Sequence, residues 1–192
     1  MQETTPAKSA LRRVLRANRP ELDAQLGQSA AIRGHLAHWL ALHPAKTIAA
    51  FVAIPGEVFL LPLIAELQDR RWVLPRIEGE TMKFHLVDAA MPRLHPGPFG
   101  LAEPMHDSPV VPIDEIELFL CPGMAFTRSG KRIGRGKGYY DRALAGSRSE
   151  SLRAGVCFRE QVLPELPTDP HDLPMHFLAT PDGVHDCSER PA

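Results

Sequence analysis

The sequence predicts a single three-layer α/β/α domain with a largely parallel central sheet and helices at its N-terminus. Short apolar runs alternate with helix-length amphipathic segments, which is the pattern of strands joined by helical crossovers. The length of 192 residues and the 44% hydrophobic content suit one domain with a sizeable core. We therefore expect one domain over residues 1–192, with residues 181–192 as a loose tail.

The first half of the chain predicts two helices followed by a βαβ unit. Residues 7–17 and 20–42 are the helical segments, and Pro20 stands at a first-turn position, where proline is tolerated. The apolar run at 47–54 predicts a strand that ends at Pro55-Gly56. A helix over 62–70 and a strand over 72–74 then complete the unit.

The second half predicts further strands and one long connection. The Pro/Gly-rich span 91–112 predicts an irregular loop that lies over the site, because neither flank is long enough to be a separate domain. If the sheet is largely parallel, the ligand site lies at the carboxyl ends of its strands. The remaining predicted strands are residues 82–87, 118–121, 154–158 and 176–179.

The composition limits the kinds of partner that the protein is expected to bind. With 22 basic and 23 acidic side chains the formal net charge is −1, so there is no global field that attracts nucleic acid or an anionic membrane. The longest apolar stretch, residues 48–54, is too short to span a bilayer. The three cysteines are widely spaced and without a CxxC, which predicts neither a disulfide framework nor a structural zinc site. We expect a cytoplasmic monomer that binds small molecules.

Residues 121–142 form the most informative segment. Glycines let the backbone approach a ligand closely, and the cations between them can bind phosphate oxygens. The segment matches neither the Walker A loop nor GxGxxG, so the phosphate hypothesis depends on its chemistry, and a solvated basic loop or a nucleic-acid patch stays open. The residues are Gly130, Gly134, Gly136 and Gly138, with Lys131, Arg132, Arg135 and Lys137.

A helix is predicted to begin directly after these glycines, at Tyr139, Tyr140 and Asp141. Its first backbone N–H groups have no partner within the helix and favour an anion in the loop. The carboxylate of Asp141 is suited to a divalent cation beside that anion.

Residues 122–142 and several shorter motifs resemble a known family. Residues 122–142, PGMAFTRSGKRIGRGKGYYDR, are similar to the signature of the 5-formyltetrahydrofolate cyclo-ligase family, in which PG-x-AF precedes G-x-R-(L/I)-G-x-G-x-GYYD. Five shorter motifs follow the family order, and together the motifs span residues 8–180. They are K-x-x-LR at 8–12, GEV at 56–58, LPR at 74–76, G-x-x-EP at 100–104 and HD-x-P at 171–174.

The resemblance implies an activity. Members convert 5-formyltetrahydrofolate to 5,10-methenyltetrahydrofolate with ATP and Mg²⁺, and release ADP and phosphate. It implies Lys137, Arg135 and Tyr140 as catalytic residues. It implies the following ATP contacts: Lys8, Arg12, Arg132, Gly134, Arg135, Gly136, Lys137, Gly138, Tyr139 and Tyr140.

The resemblance also implies folate and metal contacts. Glu57, Arg135, Tyr139 and Tyr140 are the expected substrate contacts, and Asp141 and His176 are the expected metal-associated residues. Plainer interpretations stay open, because Glu57 and Asp141 also suit a helix N-terminus. Lys8 and Arg12 also suit the exposed face of a helix.

Two departures from the family pattern bear on function. His176 stands where the family has an Asp, and imidazole is a poor Mg²⁺ ligand. His171 and His176 are an alternative transition-metal pair. Phe59-Leu60 stands where the family commonly has Asp-Thr. These departures keep two other hypotheses open, a binding protein without turnover and an ATP-dependent enzyme with a different heterocyclic substrate.

Overall fold

The computed structural model describes residues 6–167, 169 and 172–188, so His171 lies outside the described residues. Four helices and twelve strands lie within these ranges. The helices are α1 (Pro6–Ala17), α2 (Leu22–Ala41), α3 (Leu61–Glu66) and α4 (Tyr139–Ala145). The strands are β1 (Thr47–Ala49), β2 (Arg71–Glu78), β3 (Thr81–Leu86), β4 (Leu94–Pro96), β5 (Ala102–Pro104), β6 (Val110–Val111), β7 (Leu118–Cys121), β8 (Ala125–Phe126), β9 (Arg132–Ile133), β10 (Leu152–Val156), β11 (Phe177–Thr180) and β12 (Gly183–Asp186).

Eight strands form one sheet in the order β12-β11-β10-β7-β1-β2-β3-β6. The five central strands from β11 to β2 are parallel. β12 at one edge, and β3 and β6 at the other, are antiparallel. The largely parallel α/β fold predicted from the sequence is therefore confirmed.

Helices cover both faces of this sheet. On one face, Leu36 of α2 and Ile64 of α3 belong to a buried cluster with Ile48, Leu74 and Leu120 of the sheet. On the other face, Leu144 of α4 belongs to a second cluster with sheet residues that include Val73, Phe84 and Phe119. Each face is apolar because a central parallel sheet is buried on both sides.

Helix α2 is the longest helix, with 20 residues. It buries Ser29, Ile32, Leu36 and Leu40, which recur at helical spacing. Among residues 6–167, 169 and 172–188, no helix has the length and apolar character needed to cross a membrane.

The predicted βαβ unit is confirmed as β1, α3 and β2, but its helix ends at Glu66 rather than at residue 70. The carbonyl of Leu67 accepts a hydrogen bond from the indole of Trp72 (2.8 Å). The guanidinium of Arg70 leaves the helix path and donates to the carbonyls of Ala45 (2.7 Å) and Leu40 (3.1 Å). These tertiary bonds end the helix early.

Two strand predictions need new bounds. β1 ends at Ala49, because the chain beyond it leaves the sheet and runs to the turn at Pro55-Gly56. β2 continues through Pro75 to Glu78. β1 pairs with β2 only as far as Val73, so the missing N–H of Pro75 removes no hydrogen bond on that side.

Two segments expected to be irregular are ordered. Residues 91–112 contain β4 and β5, which form an antiparallel ribbon, and also β6, which joins the edge of the main sheet. Within the expected loose tail of 181–192, β12 pairs along its length with β11. The expected irregularity is therefore wrong for these strands, whereas residues 189–192 of the expected tail lie outside the described residues. The strands have only two to four residues each, and runs this short carry little pattern in the sequence.

Candidate active site

A cavity of about 350 Å³ lies at the carboxyl ends of the parallel strands. The chain that follows β1, the chain that follows β7 and the far half of β2 form its wall. This is the edge of the sheet that the fold class predicts for a ligand site. Ten of the predicted site residues contribute to the wall: Glu57, Arg132, Gly134, Arg135, Gly136, Lys137, Gly138, Tyr139, Tyr140 and Asp141.

The wall has two chemically different sides. One side is apolar and includes Phe51, Ile54, Ile77, Met82 and Leu101. The other side is the glycine-rich loop of residues 134–138 with its cations. The cavity can therefore hold an apolar ring against one side and an anion against the other.

The backbone of the glycine-rich loop needs glycine at two positions. Gly136 has φ 101° and Gly138 has φ 69°, both in the region that other residues adopt with strain. A Cβ at Gly136 would lie 3.3 Å from the guanidinium carbon of Arg12. Gly138 is directly followed by α4, so it also sets the direction in which Tyr139 and Tyr140 leave the loop.

Glu57 and Arg135 form an ion pair in this wall. Nε of Arg135 donates to Oε1 of Glu57 (2.8 Å), and the backbone N–H of Ile54 donates to Oε2 (3.2 Å). The Glu57 side chain is only 7% exposed. Burial raises the pKa of Glu57, and the charge and hydrogen bond of Arg135 oppose that rise. The predicted folate contact and the predicted phosphate contact are therefore bonded to each other.

Arg132 and Asp141 form a second buried pair. One guanidinium nitrogen of Arg132 donates to Oδ1 of Asp141, and the other donates to the carbonyl of Pro122 (3.1 Å). The guanidinium also lies 5.7 Å from the centre of the Tyr140 ring. Arg132 is only 6% exposed, so it connects the start of the loop to α4 as well as contributing charge to the wall.

The two tyrosines have different environments. The hydroxyl of Tyr139 donates to the carbonyl of Gly79 (3.1 Å), and Arg142 lies 5.2 Å from its ring centre. The hydroxyl of Tyr140 is buried and has no hydrogen-bond partner among the described residues. Burial raises the pKa of Tyr140 well above its ordinary value, and nearby Cys121 and Glu57 raise it further. Tyr140 therefore stays protonated and is a donor that a ligand can satisfy.

Lys8 and Arg12 lie on α1 and are not part of the cavity wall. Nζ of Lys8 contacts the carboxylates of Asp169 and Asp172, each at 2.6 Å, and Lys8 is 5% exposed. Burial lowers the pKa of Lys8, but the bonds and charges of the two carboxylates outweigh it and raise the pKa overall. Nε of Arg12 donates to the carbonyl of Gly134 (2.8 Å). Arg12 is thus bonded directly to the glycine-rich loop, whereas Lys8 is bonded to the segment that precedes β11.

The structure does not bring His176 to the site. His176 directly precedes β11, at the amino end of a parallel strand, whereas the cavity is at the carboxyl ends. Nδ1 accepts from the backbone N–H of Arg153 (3.1 Å), and Nε2 lies 2.9 Å from a guanidinium nitrogen of Arg153. Burial and the charge of Arg153 lower the pKa of His176. The proposed metal role of His176 is therefore not supported.

The other departures from the family pattern also lie away from the cavity. Leu60 is fully buried in the core beside α2 and α3, and Phe59 is 40% exposed. Neither contributes to the cavity wall. Within the described ranges, no group of three or more His, Cys, Asp or Glu side chains is placed to hold a metal ion.

The model of the 5-formyltetrahydrofolate cyclo-ligase family matches residues 4–181. The chain belongs to this family. The 5-formyltetrahydrofolate cyclo-ligase of Mycolicibacterium smegmatis is 32% identical over 91% of this chain and 94% of its own length. The cyclo-ligase of Escherichia coli K12 is 29% identical over 91% of this chain and 98% of its own length.

Solved structures agree with this membership. The 5,10-methenyltetrahydrofolate synthetase of Aquifex aeolicus superposes with a TM-score of 0.84 at 30% identity, and the match covers 96% of this chain and 95% of that one. The synthetase from Mycoplasma pneumoniae has the same fold, with a TM-score of 0.74 at 24% identity over 91% and 98% of the two chains.

The cavity wall also contains two charged residues that were not among the predicted site residues. Arg16 lies in the wall, one turn beyond Arg12, and Glu103 lies there as a buried carboxylate. The spacing of Lys8, Arg12 and Arg16 at i, i+4 and i+8 was a sequence signal that pointed to Arg16. The G-x-x-EP motif was a sequence signal that pointed to Glu103. The apolar side of the wall had no local signal, because its members are distant in sequence.

Proposed function

We propose that this protein catalyses the ATP-dependent cyclisation of 5-formyltetrahydrofolate to 5,10-methenyltetrahydrofolate, with release of ADP and phosphate. The observation that carries the proposal is the two-sided cavity of a family member, in which an apolar wall with buried carboxylates meets a cationic glycine-rich loop. A reduced pterin suits the first side and a triphosphate suits the second.

The reaction begins at the formyl group, which is a poor electrophile. Its oxygen attacks the γ-phosphorus of ATP, the bond from that phosphorus to the bridging oxygen breaks, and ADP leaves with the electron pair. N10 of the folate then attacks the activated carbon. The carbon–oxygen bond breaks, phosphate departs and N10 loses its proton. Enzymes that transfer phosphoryl groups mainly align the reactants and neutralise charge.

Three residues are proposed to act on the transferring group. Lys137 and Arg135 place positive charge beside the phosphate oxygens, and the glycine-rich loop brings backbone N–H groups to the same place. Tyr140 has a buried hydroxyl that finds no partner among the described residues, which suits donation to an oxygen that gains charge during transfer. Arg12 positions the loop through its bond to the carbonyl of Gly134.

The pterin is proposed to lie on the apolar wall. Tyr139 presents a ring face, and its hydroxyl is anchored to the carbonyl of Gly79. Glu57 holds Arg135 beside the reacting end of the folate and accepts N–H donors from the ligand when Arg135 moves toward phosphate.

Mg²⁺ is proposed as the partner of ATP. Asp141 offers a carboxylate in the wall, 23% exposed, and Arg132 takes only one of its oxygens. This donor set fits Mg²⁺, which commonly uses one or two carboxylates and completes its shell with phosphate oxygens and water. When bound, the ion neutralises charge on the phosphates. His176 has no part in this proposal.

Two properties of the working enzyme are also proposed. We infer that it acts as a monomer, because one chain contributes both sides of the cavity. We also infer a reducing cytoplasmic setting, in keeping with the three free cysteines. Light scattering behind size-exclusion chromatography, with and without substrates, tests the first inference.

The activity is tested by mixing purified protein with 5-formyltetrahydrofolate and Mg-ATP and following the absorbance of the methenyl product. ATP and Mg²⁺ are each omitted as controls. Formation of the methenyl product only when ATP and Mg²⁺ are both present supports the proposal. Folded protein that binds ATP and forms no product contradicts it.

A further inference from the structure

Glu103 is a buried carboxylate in the cavity wall that the reaction above does not use. It lies in β5, is only 3% exposed, and contributes to the cavity beside Ile77 and Leu101. Its Oε1 accepts the backbone N–H of Ile77 (2.9 Å). This bond fixes the carboxylate against β2 and the apolar side of the wall.

Glu103 differs from Glu57 in its partners. Glu57 pairs with Arg135, whereas Glu103 has no cationic partner and no second hydrogen-bond donor among the described residues. A buried carboxylate with spare acceptor capacity is unfavourable unless a ligand supplies donors. The chain also makes room for this group, because a Cβ at Gly97 would lie 2.5 Å from its carboxyl carbon.

Taking the proposed function as its basis, we propose that Glu103 is the residue that recognises the 2-amino and N3–H edge of the pterin. These two adjacent N–H donors match the acceptor oxygens of one carboxylate. Glu103 thereby selects 2-amino-4-oxo heterocycles over ring systems without the amino group.

The chemistry of the folate places its two ends on different residues. The formyl group on N5 must reach the γ-phosphate, so the reacting end faces Arg135 and Lys137 on the glycine-rich loop. Glu57 is bonded to Arg135 and therefore belongs to that end. The 2-amino edge is on the opposite side of the bicyclic ring. Glu103 lies in β5 and is hydrogen-bonded to β2, and it is not on the glycine-rich loop, so it suits that opposite edge.

The test compares 5-formyltetrahydrofolate with its 2-desamino analogue, which has hydrogen in place of the amino group. Glu103→Gln keeps an oxygen for the Ile77 N–H but loses the charge and one acceptor. Gly97→Ala is a second, independent variant, because the added methyl must displace the carboxylate. Glu78→Gln is the matched control, since Glu78 is in the same region but pairs with Arg76 and Lys83 outside the cavity wall.

Both kcat/KM and equilibrium binding without ATP are measured for each ligand. The wild type and Glu78→Gln should prefer the 2-amino compound by about tenfold or more, as expected when a charged hydrogen bond is lost. In Glu103→Gln and Gly97→Ala this preference should fall toward unity, while the KM for ATP stays the same.

Two results would overturn the assignment. One is a full preference for the 2-amino compound in folded Glu103→Gln. The other is a loss of that preference in Glu57→Gln instead. The proposed function is judged separately, because it depends only on whether wild-type protein forms the methenyl product from 5-formyltetrahydrofolate. The binding measurement decides the role of Glu103 even where turnover is absent.

Discussion

Glu57 and Arg135 are 78 positions apart in the chain, and their side chains meet in the cavity wall with Nε and Oε1 2.8 Å apart. The bond joins the turn after β1 to the glycine-rich loop. It therefore connects the side of the cavity proposed for folate to the side proposed for phosphate.

Removing the charge of Glu57 should stabilise the protein while it impairs the enzyme. Burial raises the pKa of Glu57 above its ordinary value of 4.5, so its charged form is unfavourable in the folded state. Below that ordinary value the carboxyl is protonated in both states and the penalty disappears. Glu57→Gln should thus be more stable than the wild type at pH 7 to 8, with no difference in strong acid.

Urea unfolding at several pH values measures this difference. The same variant should raise the KM for folate. A Glu57→Gln protein that is less stable than the wild type at pH 8 would contradict the stated pKa direction.

Removing the charge of Lys137 should slow the chemical step. We expect Lys137→Ala to lower kcat by roughly 10²- to 10³-fold, because a charge beside the transferring phosphate acts mainly in the transition state. Lys131→Ala is the matched control, since Lys131 is exposed on the turn between β8 and β9 and is not in the cavity wall. Single-turnover kinetics measures the rate constant of the chemical step for both variants. Equal rate constants would mean that Lys137 is not a catalytic residue.

Replacing Lys8 should affect stability more than nucleotide affinity. Lys8→Met removes the contacts of Nζ with the carboxylates of Asp169 and Asp172, and we expect a loss of about 2 kcal/mol of unfolding free energy. Because pairing raises the pKa of Lys8 above 10.5, its stabilisation is complete below that pH and is lost as pH rises through the folded value.

Denaturant unfolding measures this effect, with Arg13→Met on the exposed face of α1 as the control. The interpretation fails if Lys8→Met unfolds like the wild type but needs much more ATP for half-maximal rate.

Restoring the family's Asp at position 176 should leave the metal requirement unchanged. Both ring nitrogens of His176 face Arg153, and the residue is at the opposite end of its strand from the cavity. We expect His176→Asp to need the same Mg²⁺ concentration for half-maximal activity. A clearly lower requirement in a magnesium titration would mean that residue 176 reaches the metal in the working enzyme.

The parallel sheet and much of the candidate site could be predicted from the sequence. Central parallel strands are apolar on both faces, so runs such as residues 118–121 are visible without any partner. The glycine-rich loop was visible because Gly136 and Gly138 meet a backbone requirement that is local.

The remainder depends on very short strands or on distant partners. β4, β5 and β12 have only three or four residues each, so they carry little pattern of their own in the sequence. The end of α3 depends on Arg70 reaching the carbonyls of Ala45 and Leu40. Lys8 looked like an exposed cation because its two carboxylates are more than 160 positions away. Glu103 became a candidate only in the folded structure, where it is buried and lies in the cavity wall.

The most direct test of the account follows the formyl oxygen. Wild-type protein is incubated with Mg-ATP and 5-formyltetrahydrofolate that carries ¹⁸O in the formyl group, and the released phosphate is analysed by mass spectrometry. Attack of that oxygen on the γ-phosphorus predicts one ¹⁸O atom in each phosphate released with the methenyl product. Methenyl product with unlabelled phosphate, and ¹⁸O in water, would contradict phosphorylation of the formyl oxygen.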